Sequence, residues 1–109
     1  MSTVLITGAS RGIGRATAKA FANSGWDLLL ISRSKDDLEN LAKEINHKKN
    51  KVFYQSIDLS NPEEISKGIV ELLDNGLVPS VLINNAGVAW TGDLLTMPIE
   101  KWQWIIQMN

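Results

Sequence analysis

Thr7-Gly8-Ala9-Ser10-Arg11-Gly12-Ile13-Gly14 decides how this sequence reads. The octet follows a short apolar run, Val4-Leu5-Ile6-Thr7, and leads into a stretch with helical patterning after Gly12. Such a run reads as a buried parallel strand. Glycine takes backbone angles that side chains forbid, and without Cβ it lets an anion reach the main chain. The start of a helix adds unpaired N–H groups and the positive end of the helix dipole. Strand, glycine turn and helix in that order predict a phosphate cradle. The spacing is G-x-x-x-G-x-G. It is not G-x-G-x-x-G, and no Lys-Ser/Thr pair completes a P-loop.

Outward from the octet, strands and helices alternate. In the first helix Ile13, Ala16, Thr17, Ala20 and Phe21 share one face, predicted to be buried, and Gly25 ends the helix. Leu28 to Ile31 predict a second buried strand. Ser34 is placed as an N-cap, with Asp36 and Asp37 in the first turn and Leu38, Leu41, Ala42 and Ile45 as the inward stripe. Lys51 to Ile57 predict a third strand. Asn61, Pro62 and Glu64 predict a helix start with a capping box; Ile65, Ile69, Leu72 and Leu73 face inward, and Gly76 closes the helix. Ser80 to Asn84 predict a fourth strand. After a loop with Gly87 and Gly92, Pro98 opens a last helix carrying Trp102, Ile105 and Ile106. Four alternating units predict an α/β, Rossmann-like, doubly wound parallel sheet of order 3-2-1-4. The fourth strand is then an open edge. The last helix reaches Asn109 without a stop signal, so the expectation is one dinucleotide-binding domain over 1–109, cut within an element.

Composition narrows the function classes. A formal net charge of -1 over 109 residues gives no electrostatic case for nucleic acid or an anionic membrane. His47, Lys48, Lys49 and Lys51 form a local basic excess, read as a solvated turn. With no cysteine, disulfides, thiolate metal sites and a cysteine nucleophile are excluded, and a reducing cytoplasm suits the chain. The N-terminus lacks the pattern of a signal peptide, and the longest apolar run, Leu28 to Ile31, is too short to cross a bilayer. His47 has too few neighbouring donors for zinc. Trp90, Trp102 and Trp104 read as packing or contact residues, because no basic groove accompanies them.

The octet resembles the first turn of the short-chain dehydrogenase/reductase family, T-G-x-x-x-G-x-G. Three further matches follow in family order: Asp58-Leu59 after the third strand, Asn84-Asn85-Ala86-Gly87 after the fourth, and Trp102 followed seven residues later by Asn109. The resemblance covers the whole chain. It implies that Gly8, Ser10, Arg11, Gly12, Ile13 and Gly14 hold a nicotinamide dinucleotide. It implies further that Asp58 and Leu59 hold adenine, that Asn85, Ala86 and Gly87 line the cofactor, and that Asn109 belongs to the catalytic tetrad. Read alone, Asp58 also suits a turn cap, Asn85 and Gly87 loop geometry, and Asn109 a surface polar group.

In NAD-binding members an acidic residue at the end of the second strand accepts bonds from the ribose 2′-OH and repels a 2′-phosphate. Here that position is Ser32, followed by Arg33. A guanidinium forks onto phosphate oxygens, and Arg11 flanks the same place, so NADP(H) is expected over NAD(H). The family's tyrosine and the lysine four residues later are not found: Tyr54 is the only tyrosine, and position 58 is Asp58. The resemblance therefore implies an NADP(H)-dependent oxidoreductase acting on a small carbonyl or alcohol substrate. Members are usually dimers or tetramers. This chain would carry the cofactor-binding half and be inactive alone; the alternative is a non-catalytic nucleotide- or partner-binding module.

Overall fold

Why the chain becomes a layered α/β unit is visible in the alternation along its strands. A computed structural model describes residues 2–46, 50–86 and 97–108. Strand β1 (Thr3–Thr7) lies between β2 (Asp27–Ser32) and β4 (Val81–Ile83), and β3 (Val52–Ser56) flanks β2. All pairings are parallel, in the order β3-β2-β1-β4. Val4 sits opposite Leu28 and Val81, and Ile6 opposite Leu30 and Ile83. The predicted sheet order is the observed one.

Successive strand residues point to opposite faces. Val4, Ile6, Leu28 and Leu30 pack with Ala18 and Ala22 of α1 (Gly12–Asn23) and with Leu38, Leu41 and Ile45 of α2 (Lys35–Ile45). Leu5, Leu29 and Ile31 face the other way, onto Ile57, just beyond β3, and onto Leu72 of α3 (Pro62–Asp74). Each fully buried leucine contributes about 2 kcal/mol relative to exposure. Glu44 ties the first two helices together, accepting from Arg15 at 2.6 Å and pairing with Lys19 at 3.0 Å. Those two cations hold its carboxyl below the usual range.

Two predicted faces are corrected. In α1 the buried stripe is Gly14, Ala18 and Ala22, whereas Ile13 is 78% exposed and Ala16 and Ala20 are exposed. Small residues win that face because they let α1 lie close on the sheet. In α3, Gly68 and Leu72 are buried, but Ile69 and Leu73 are exposed. A side chain at Gly68 would run into Ile57, so the glycine sets which face of α3 meets the sheet. The helix ends agree with expectation: Gly25 and Gly76 take positive φ just beyond α1 and α3.

The α3 side of the sheet is less covered than the other. Leu82 on β4 is 55% exposed, and Val70 of α3 is also exposed. Helix α4 (Ile99–Met108) begins after Pro98, whose carbonyl accepts from Lys101 and Trp102 N–H. On it Trp102 and Ile106 are exposed. Among the described residues no helix is long and apolar enough to cross a membrane.

Candidate functional site

The carboxyl end of β1 is where the chain order reverses, with β2 on one side and β4 on the other. Ligands of open α/β sheets bind at such a switch point. The glycine octet starts there. Ala9 N–H donates to Ile31 O at 3.2 Å, laying the turn across the end of β2. Thr7 Oγ1 accepts from the N–H groups of Asn85 (3.1 Å) and Ala86 (2.9 Å), and Asn85 Nδ2 donates to Gly8 O at 3.1 Å. The end of β4 thus braces the turn from the opposite side.

The glycines divide into two kinds. A Cβ on Gly8 would lie 2.9 Å from Ala86 Cα, and one on Gly14 would collide with Gly8 O and Asn85 Nδ2. These two make room for the protein's own backbone. Gly12, at φ 54, has nothing within 4 Å of a built Cβ and faces open space. Within the octet, Gly12 alone therefore combines a left-handed conformation with an unobstructed approach.

Helix α1 starts without a side-chain cap. Arg11 holds the N-cap position in an extended conformation and makes no side-chain bond to the first turn. Its side chain is 84% exposed, with Nε 3.9 Å from Asp37 Oδ2. The first-turn amides following Arg11 have no partner within the helix, as at every helix start. They point the positive end of α1 at the space over Gly12. Ile13, largely exposed, stands beside them.

Next to this mouth, Ser32 is buried at the end of β2. Its hydroxyl donates to Ser10 Oγ at 2.8 Å and accepts from Ser34 N–H at 3.1 Å. The predicted pair of loops is therefore physically joined. Arg33 is exposed, and its carbonyl accepts from Ser56 Oγ at 2.9 Å. No acidic side chain occupies position 32 or 33. Asp58 lies beyond β3, where its Oδ1 accepts from Ser60 Oγ (2.6 Å) and Ser60 N–H (2.9 Å). Those two bonds, helped by the charge of Arg33, keep its carboxyl below the ordinary value of 3.8. The turn-capping reading of Asp58 holds in this structure, with one carboxylate oxygen engaged by Ser60. Leu59 packs against the cluster under α3.

Gly8, Ser10, Arg11, Gly12, Ile13, Gly14, Ser32, Arg33, Asn85 and Ala86 are thus brought to one end of the sheet. Gly87, Gly92, Asn109, Trp90 and the basic residues His47, Lys48 and Lys49 lie outside the described residues. Sequence reasoning missed Thr7 as the acceptor that joins β1 to β4; a threonine ending a buried strand was its signal. It also missed Asp37 as a partner of Arg11. Tyr54 packs against the core between the sheet and α1–α2, away from this mouth. Among the described residues no group of three or more His, Cys, Asp or Glu could hold a metal ion. A groove of about 500 Å³ lies between β3 and α3, lined by Phe53, Gln55, Glu71 and Leu72, away from the glycine turn.

A parallel sheet with this order and a glycine turn at its switch point defines a Rossmann-like α/β fold. Residues 2–109 match the short chain dehydrogenase family, and the chain belongs to it. It is 33% identical to serine 3-dehydrogenase of Rhizobium radiobacter, over 98% of this chain and 42% of that enzyme. It is 35% identical to 3-oxoacyl-[acyl-carrier-protein] reductase of Synechocystis sp., over 96% of this chain and 43% of the reductase. Among solved structures, an alcohol dehydrogenase from Thermococcus sibiricus complexed with 5-hydroxy-NADP superposes with a TM-score of 0.92 at 35% identity. That match covers 99% of this chain and 46% of the other. A metagenomic short-chain oxidoreductase in complex with NADP gives 0.89 at 32% identity, covering 98% of this chain and 49% of the other. The chain therefore spans less than half the length of each of these relatives.

Proposed function

We propose that this chain is the NADP(H)-holding part of a short-chain oxidoreductase that moves a hydride between NADP(H) and a carbonyl or alcohol substrate. The observation that carries the reading is the uncapped start of α1 over Gly12, beside a β2 end that presents Ser32 and Arg33 instead of an acid. The paired phosphates would rest on the α1 amides, where the dipole favours negative charge. Ser10, Ser32, Arg33 and Arg11 would surround the adenosine ribose, with Arg33 forked onto a 2′-phosphate. Asp58 and Leu59 would border the adenine, and Asn85, Ala86 and Gly87 would line the far side. When bound, the nicotinamide supplies the hydride. Two neighbouring structures with NADP-type ligands support the choice of cofactor.

Proton transfer in this reading is the work of a tyrosine–lysine pair that these 109 residues do not contain. The chain alone is proposed to bind nucleotide without turnover, with Asn109 as its contribution to the tetrad, as one domain of a cytoplasmic enzyme that assembles as a homo-oligomer. The core position of Tyr54 keeps a second reading in view, a nucleotide-binding module without catalysis. Assaying NADPH oxidation with a panel of small ketones separates the two in any polypeptide that carries this chain.

Titrating wild type and Arg33→Asp with NADPH and NADH tests the cofactor assignment. The substitution is expected to move the preference toward NADH by about 100-fold, since it removes a charge-assisted pair and adds a repulsive charge. An unchanged ratio would falsify the assignment.

A further inference from the structure

We infer that Asp37 is a specificity-determining residue of the same site, where its carboxylate partly neutralises Arg11 and opposes the ribose 2′-phosphate. The inference rests on the NADP(H) reading above and names a residue that this reading does not use. Asp37 is the third residue of α2, and its N–H donates to Ser34 Oγ at 3.3 Å, so the capped helix start fixes the backbone that carries its carboxylate. The contact with Arg11 runs from Nε to Oδ2 at 3.9 Å. It engages one edge of the guanidinium. The Nη fork has no partner among the described residues, and both side chains are solvent-accessible, so the fork remains able to turn toward a ligand.

Ser10 and Ser32, joined at 2.8 Å, bring the Arg11 turn and the β2 end together at one mouth. The charged groups around it are Arg11 and Arg33 on the loops and Lys35, Asp36 and Asp37 on the first turn of α2, with Asp58 beyond β3. Of the three acids, Asp37 is the one paired with Arg11. A phosphate gripped by the Arg11 fork would carry about two negative charges close to that carboxylate. At roughly 7 Å in water such a repulsion weakens binding about five-fold, and salt screens most of it. A cofactor without the 2′-phosphate meets no such repulsion. Asp37 therefore narrows the preference for NADP(H) over NAD(H) while leaving the shared pyrophosphate site alone.

The test is a set of NADPH and NADH titrations on wild type, Asp37→Asn, Arg11→Gln and the double variant, at low and high salt. Asp36→Asn serves as a control for the first-turn charge of α2. Asp37→Asn is expected to tighten NADPH about five-fold at low salt and less than about two-fold at high salt, with NADH unchanged. The gain is expected to fall by half or more in the Arg11→Gln background, and Asp36→Asn to give a smaller gain. Equal changes for both nucleotides, a gain that ignores salt, or selective weakening of NADPH overturns the role of Asp37. If the wild type binds neither nucleotide, or prefers NADH, the NADP(H) reading itself fails and this inference with it. A wild type that prefers NADPH, with Asp37→Asn inert, sinks this inference alone.

Discussion

Helices α1 and α3 both begin beyond the carboxyl end of a strand, yet their first turns are finished differently. In α3, Asn61 Oδ1 accepts from the N–H groups of Glu63 (3.0 Å) and Glu64 (3.4 Å), Pro62 removes one donor, and two glutamates face the dipole. In α1, an extended arginine stands where the cap would be, no acid lies in the first turn, and a glycine opens the approach. One helix satisfies its own start; the other has no side-chain cap, and in the proposed reading a ligand takes that place. The lesson is that the binding end is recognised by what the sequence withholds as much as by what it supplies.

The hardest way to break the contrast is at Gly14. Gly14→Ala is expected to cost about 2–3 kcal/mol and to abolish NADPH binding, because the new Cβ meets the Gly8 carbonyl, a backbone atom that cannot swing aside. Gly12→Ala has room for its Cβ but sits at φ 54, so about 1–2 kcal/mol is expected. Denaturant unfolding of both variants, with NADPH titrations, checks the ranking; a Gly14→Ala variant as stable as wild type refutes the close approach.

A milder exchange makes the two helix starts alike. Arg11→Ser supplies α1 with a capping hydroxyl and is expected to add about 1 kcal/mol of stability while weakening NADPH. Asn61→Ala removes the cap of α3 and is expected to cost about 1 kcal/mol, with NADPH affinity unchanged. Thermal melts and titrations on the pair decide it: if both variants alter binding equally, the division of labour is wrong.

The smallest expected effect concerns pH. Asp58 has a carboxyl lowered from 3.8 by its bonds to Ser60. A group depressed on folding stabilises the fold above its unfolded pKa, and this contribution fades as pH falls through the folded value. The stability gap between wild type and Asp58→Asn is therefore expected to be full near neutral pH and to close below about pH 4. A gap that widens on acidification contradicts the Ser60 contacts.

Much of this was legible in residues. The apolar runs of β1 and β2 have no polar face, so a sheet covered on both sides followed directly. Ser34, Asn61 and Pro62 marked helix starts because each satisfies or removes an orphan donor. The capping box was misjudged in part: Glu64 Oε1 accepts from Asp58 N–H at 3.3 Å, while Asn61 N–H goes to Asp58 O. The phase of α1 does not follow from apolar pattern because close approach to the sheet selects it: Gly14, Ala18 and Ala22 lie against the strands and Ile13 is left exposed. Ser10–Ser32 and Arg11–Asp37 are tertiary contacts between polar residues, which leave no periodic trace in the chain.

Thr7 couples the end of β1 to the segment that follows β4. Its hydroxyl oxygen has two donors, Asn85 and Ala86, 78 and 79 positions downstream. Parallel strands with such separations form slowly, since a long loop must close before any contact repays it. A nascent chain halted before Asn85 would own every glycine of the turn and still lack its brace. The turn would then be completed late and abruptly during synthesis, as the ribosome releases the segment after β4.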